Sequence, residues 1–286
     1  MSICPLEEQE VRYQISQIKE LPPLPQSVQR LIEIIQDEID SAEELESIIG
    51  YDQAVAAKVL QIANSTYYGF RRTVTSIARA IAVVGFNQVK SICLCTLLIN
   101  LMSDGRKIDP VHRERLWKHA FATSRIAAAI CKKRPWVKRE EAALLGLIHD
   151  IGHLAMATYF SEYFQYVMDT AARRNSSPWC VEMQAGLSHT EVGKYLASRW
   201  ALPESFQAVI EFHHCPERCD SHRSEIRLIH LADVLSSSPY YPHLLTDEAT
   251  LSYCRDLFIS EDEWQEYQDS LEFIWQEVDQ LWGLLK

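Results

Sequence analysis

The stretch GLIHDIGHLAM, residues 146–156, lies halfway along a chain of 286 residues. It sets His149 beside Asp150, with His153 one helical turn further on, inside an otherwise apolar run. The run does not alternate polar with apolar residues as a half-buried strand does, and its spacing predicts helix. Titratable neighbours in such surroundings admit two readings. One is a metal site that does chemistry; the other is a polar pair kept inside a regulatory domain.

The helical pattern extends outward in both directions. QSVQRLIEIIQDE (26–38) places Val28, Leu31, Ile32 and Ile35 on one face. SAEELESIIGYD opens with Ser41 as a predicted N-cap and Glu44 as its capping-box partner. DQAVAAKVLQIANS and SIARAIAVVGFNQVKSICLCTLLINLM continue the pattern, while RTVTSI is too short for a strand and has no partner. The predicted fold is all-α. MSDGRKIDP (102–110) separates a first helical block from a second, and HHCPERCDSHRSE (213–225) separates the second from a set of C-terminal helices. In the tail, Trp264, Tyr267, Leu271, Ile274, Trp275, Val278 and Leu281 recur at helical spacing, a stripe read as core packing.

Composition narrows the function classes. Hydrophobic residues make up 47% of the chain, enough for a sizeable core. Twenty-eight basic against 39 acidic residues leave a formal charge of −11, which repels phosphate backbones and disfavours general nucleic-acid binding. SICLCTLLINLM (91–102) falls far short of the roughly twenty apolar residues of a membrane helix. The N-terminus lacks the basic-then-apolar pattern of an export signal. The eight scattered cysteines therefore read as reduced thiols, and a cytoplasmic protein without membrane contact is expected.

Residues of metal-ligating type recur in apolar surroundings. They are His119 in LWKHAFATSRIAAA, the pair His149 and Asp150, His189 at the start of SHTEVGKYLASRW, His213 and His214 ending FQAVIEFHH, and Asp233 in IRLIHLADVLSS. Imidazole and carboxylate donors suit zinc, manganese or iron, and can reach one centre from facing helices. On a helix His149 and Asp150 stand about 100° apart, so both can lean toward one ion while Asp150 bridges two. His153 shares the face of His149 and can reach the ion or a bound anion. A rival site is local: His213, His214, Cys215, Cys219 and His222 include the residue types of a structural zinc site. Against it, no second C-x-x-C half is present, and Cys215-Pro216 starts a turn.

Residues 20–98, with their LPPLP opening, the segment IIGYDQAVAAKVLQIANS and the segment TSIARAIAVVGFNQVKSI, resemble the HDOD domain, a bacterial signalling module related to HD-type phosphohydrolases. The departure is Asp52-Gln53, where the family usually shows Asp-Pro. LPPLP forces extended backbone ahead of Gln26, and Asn64 and Ser65 stand at a helix end where their side chains can bond nearby backbone. HDIGH and HH…HLAD fall where the related domain carries its HD motif and later ligands, so the resemblance covers roughly residues 15–235. It implies a two-lobed helical bundle of HDOD or HD type. The hallmark lobe would occupy 15–101 and the HD-like lobe 110–235, with helices from 236–286 packing on the domain.

The resemblance also implies a ligand set for one or two divalent ions of iron, manganese or zinc. His119, His149, Asp150 and Asp233 match the basic HD ligands, and His189, His213 and His214 match the extra histidines of multinuclear relatives such as the HD-GYP phosphodiesterases. Three features depart from those enzymes: no Gly-Tyr-Pro follows His214, His153 stands where a lysine is usual, and Arg115 stands where trinuclear relatives can supply a glutamate. The implied function is a signal-transduction protein acting as a regulatory or adaptor module on signalling proteins, with a retained metal site. The alternative is a metal-dependent phosphohydrolase of phosphomonoesters, nucleotides or phosphodiesters, with His153 and Arg115 as phosphate contacts. The lobe of 15–100 contains no histidine and is the expected partner surface, with Gln29, Glu33 and Glu44 on its exposed side. Little or no hydrolysis of cyclic di-GMP is expected; robust turnover by purified protein with Mn²⁺ or Fe²⁺ would contradict this.

Overall fold

The structure, a computed structural model, describes residues 29–31, 33, 42–50, 52–64, 73–86, 89–90, 92–93, 96, 108–133 and 136–285. The protein is all-α: every regular element among the described residues is a helix. The described residues fall into two compact units, one from Pro22–Asp104 with Trp275–Lys286, the other from Gly105–Ile274. The LPPLP opening, Ser41, Ser65 and most of 26–38 and 101–107 lie outside the described residues.

In the smaller unit, α1 (Ala42–Gly50), α2 (Gln53–Ala63) and α3 (Ile77–Val84) pack on one another. They bury Leu45 and Ile49, Val59 and Ile62, and Ala80 and Ile81. Asp52, at the departure from the family pattern, starts α2 by accepting the Val55 N–H at 3.1 Å. Asn64 ends it: the amide donates to the Leu60 and Val74 carbonyls, and Oδ1 accepts the Val74 N–H at 2.7 Å. That clamp gives RTVTSI its partner, a side chain in place of a second strand. Gly85 then stops α3 at φ 95°, a region open to glycine without strain.

The larger unit begins with α4 (Pro110–Lys133), whose N1 proline loses no helical bond. It continues with α5 (Arg139–Ile148), α6 (Ile151–Tyr159), α7 (Ser161–Arg174), α8 (Pro178–Ala185), α9 (His189–Arg199), α10 (Glu204–Phe212), α11 (Arg223–Ser237), α12 (Glu248–Asp256) and α13 (Glu261–Asp269). Helix α4 packs on α5 and α11, which also touch each other, and α9 packs on α6 and α10. The C-terminal stripe is split at Ser270 between α13 and α14 (Leu271–Leu285), and from Trp275 on it belongs to the smaller unit; Trp264, Tyr267, Ile274, Val278 and Leu281 are buried. Among the described residues no single helix is long and apolar enough to cross a membrane.

One expectation is corrected. GLIHDIGHLAM is not a continuous helix, because α5 ends at Ile148 and α6 starts at Ile151. Asp150, at φ −97° and ψ 20°, occupies the N-cap of α6 yet makes no capping bond. Its carboxylate is turned toward the histidines. Just past the break, Gly152 lets α6 lie directly on the start of α9: a Cβ at 152 would stand 1.8 Å from the His189 carbonyl oxygen. Gly152→Ala must therefore push two backbones apart. It is expected to cost about 3 kcal/mol or more in denaturant unfolding. Gly283→Ala, with nothing within 4 Å of the new methyl, should leave stability unchanged or slightly higher.

Candidate metal centre

Four imidazoles of the cluster are held by Nδ1. His149, the residue that closes α5, points Nδ1 at the Gly146 carbonyl, 2.8 Å away. His213, at the end of α10, does the same to the Val209 carbonyl at 3.0 Å. A carbonyl only accepts, so both rings carry a proton on Nδ1 and turn Nε2 inward. His189, first residue of α9 behind the Ser188–Glu191 capping box, gives Nδ1 to Glu182 at 2.6 Å. His119, in the middle of α4, places Nδ1 3.2 Å from Ser236 Oγ, and that hydroxyl donates to the Asp233 carbonyl. Outer contacts of this kind fix tautomer and ring orientation in metal sites.

The Nε2 atoms converge on Asp150. Its Oδ1 lies 3.2 Å from His189, 3.5 Å from His149 and 3.5 Å from His213, and its Oδ2 lies 3.5 Å from His119. Asp233, on α11, brings Oδ1 within 3.1 Å of His119 Nε2 and Oδ2 within 3.5 Å of His214 Nδ1. Four overlapping donor groups result among the described residues. One holds His119, His149 and Asp150, with Asp233 beside it; another holds Asp150, His189, His213 and His214; His149, His213 and Asp233 link these two, and His153, Glu182 and His189 form the fourth.

The donors fit a divalent cation. Asp150 Oδ1 is buried and makes no well-formed hydrogen bond to any described residue. The Nε2 atoms of His119 and His149 face each other at 3.3 Å, and those of His189 and His213 at 3.4 Å. Lone pairs so opposed repel unless a proton or a cation lies between them. Two ligands on one ion, each bonded at about 2.0–2.2 Å, stand about 3.0–3.5 Å apart, which is the spacing seen.

Electrostatics agree with that exchange of proton for metal. Burial lowers His149 to about 4, so it is neutral and ready to ligate at neutral pH. Burial also opposes charge on His189, but Glu182 and Asp150 outweigh it and lift the group to about 10. An incoming ion must displace that proton. Asp150 stays well below the carboxylate range because His149, His153 and His189 more than offset its burial.

The remaining expected residues have distinct places. Arg115 donates to the Tyr241 hydroxyl at 2.9 Å and lies 4.5 Å over the Tyr240 ring. Those residues, with Trp179, line a cavity of about 560 Å³ that reaches His119, Asp150, His214 and Asp233. His153 also borders it, but both ring nitrogens already face carboxylates: Nε2 is 2.8 Å from Glu182 and Nδ1 is 3.3 Å from Asp150. No converging donor group among the described residues includes a cysteine, and Cys219 turns its thiol to the Ser221 carbonyl. Glu182 went unnoticed in the sequence. An acid between Val181 and Met183 carries no local signal of its partners.

The HDOD domain family model matches residues 21–216, about two thirds of the chain. The chain belongs to the HDOD family. Asp233 lies beyond that match, so its place in the cluster is known from the structure. A crystal structure of an HDOD domain protein of unknown function from Geobacter sulfurreducens is similar over 96% of this chain and 97% of its own, at 25% identity and a TM-score of 0.80. A provisionally named signal transduction protein from Marinobacter aquaeolei matches 99% of this chain and 67% of its own, at 20% identity and a TM-score of 0.82. A provisionally named metal-dependent phosphohydrolase from Shewanella amazonensis matches 94% and 97%, at 19% identity and a TM-score of 0.57. The last two show the shared fold. An uncharacterised Treponema pallidum protein is 25% identical over 201 residues, and this HDOD chain spans 38% of its length.

Asp150→Asn keeps the size of the side chain and removes its anion. Metal content by elemental analysis, after loading with Mn²⁺, Fe²⁺ or Zn²⁺, is expected to fall sharply in this variant. Retention of wild-type metal would show that Asp150 is not a ligand.

Proposed function

We propose that this HDOD protein is a signal-transduction module whose larger unit holds one or two divalent ions, with signalling proteins contacting the N-terminal unit. The convergence of imidazole Nε2 atoms on the Asp150 carboxylate, whose Oδ1 is buried, carries the metal half of this reading. A binding module that used only its surface would gain nothing from it, because buried unpaired donors and acceptors cost stability. On the smaller unit, Glu33 is exposed and Arg30 pairs with it at 2.9 Å, while Glu44 is half-buried and also pairs with Arg30. A partner surface there would centre on Gln29, Arg30 and Glu33.

A second reading, phosphoester hydrolysis, is favoured by the cavity. An adaptor needs no opening onto its ions, yet about 560 Å³ of space adjoins His119, Asp150, His214 and Asp233. A bound ion supplies Lewis acidity and positive charge there. Arg115, held by Tyr241 and Tyr240, adds a fixed cation on the same wall for a phosphoryl oxygen.

Elemental analysis beside a panel of phosphomonoesters, phosphodiesters and nucleotides separates the two. Stoichiometric metal without turnover is the expected result for the signalling module. Turnover that vanishes in Asp150→Asn would establish the hydrolase instead. Metal-free protein after loading with Mn²⁺, Fe²⁺ and Zn²⁺ would end both.

A further inference from the structure

We propose that Glu182 is a positioning residue that decides whether a second ion is held, an inference that rests on the metal reading above. Glu182 is fully buried on α8. One oxygen, Oε2, receives both the ring Nδ1 of His189 at 2.6 Å and the backbone N–H of His189 at 2.9 Å. The other, Oε1, lies 2.8 Å from His153 Nε2, and the His153 ring stacks on His189 with centroids 3.9 Å apart. The carboxylate thus sets the start of α9, the tautomer of His189 and the plane in which its ring lies.

These contacts bear on one donor group. With Nδ1 bound to a carboxylate, His189 directs a more basic Nε2 to Asp150 Oδ1 at 3.2 Å, inside the set that also holds His213 and His214. Trp179, one turn before Glu182 on the same face of α8, stacks on His214 at 4.7 Å and 25°. A single short helix therefore braces two ligands of the second ion from outside. Among the described residues Glu182 bonds to none of His119, His149 and Asp233, which serve the first ion, and it reaches the shared Asp150 only through His153 and His189. Nor does packing explain a carboxylate here: burial raises its energy, and only the N–H groups around it offset that cost.

The test uses the full chain stripped of metal and titrated with Mn²⁺, comparing wild type, Glu182→Gln and Glu182→Ala. Bound ions per chain are counted after desalting, and electron paramagnetic resonance distinguishes a magnetically coupled manganese pair from a single ion. Wild type is expected to bind two ions and show the coupled signal. Glu182→Gln, of the same shape, should keep the first ion at wild-type affinity and bind the second about 10–100-fold more weakly. Glu182→Ala should bind one ion and show only the single-ion signal. A merely structural role would instead lower both affinities together and reduce the unfolding temperature of the metal-free protein. Parallel loss of both ions in Glu182→Gln, or two ions bound at wild-type affinity in it, overturns the inference. Wild type that binds a single ion overturns it too and leaves the metal reading intact; wild type that binds none removes both.

Discussion

A buried carboxylate surrounded by imidazoles is the constraint on which the larger unit is arranged. Asp150 lies between two helices, forgoes the capping bond its position invites, and turns its oxygens inward. Taking that charge out of water is tolerable only with compensating charge close by. In the absence of an ion, protonated His189 supplies part of it, since Glu182 and Asp150 together hold that ring's proton up to about 10. A divalent cation would do so more completely, replacing the His189 proton and accepting the Nε2 lone pairs that face one another across 3.3 and 3.4 Å once that proton is gone.

The surrounding helices serve this arrangement through their ends more than their middles. His149 and His213 close α5 and α10, His189 opens α9, and Asp150 precedes α6. Asp150 alone among them leaves the helical region, at φ −97° and ψ 20°, while His149 and His213 keep helical dihedrals. His119 and Asp233 approach from the interiors of α4 and α11, completing the cluster from its opposite side. The absence of a Cβ at Gly152 allows the contact of α6 with α9 that brings His189 to Asp150.

The smaller unit has a different character. Its described helices bury an aliphatic core, and Asn64 binds the end of α2 to the segment at Val74 through hydrogen bonds in both directions. The residues that mark the family thus build a packed scaffold, while the chemistry-bearing side chains belong to the other unit.

Much was legible in the residues alone. Helical periodicity is a local property, expressed within three or four positions, so the all-α class and the buried stripe from Trp264 to Leu281 follow from neighbours in the chain. The donor types were visible too, since histidines and aspartates among apolar residues stand out wherever they occur. What only the tertiary structure decided was where these donors meet. The break at Asp150, the pairing of Glu182 with His153 and His189, and the sharing of Asp150 by two donor groups depend on helix crossings between segments tens of residues apart. Such crossings are set by packing of whole faces and by one missing side chain at Gly152, and neither is encoded in any short window of sequence.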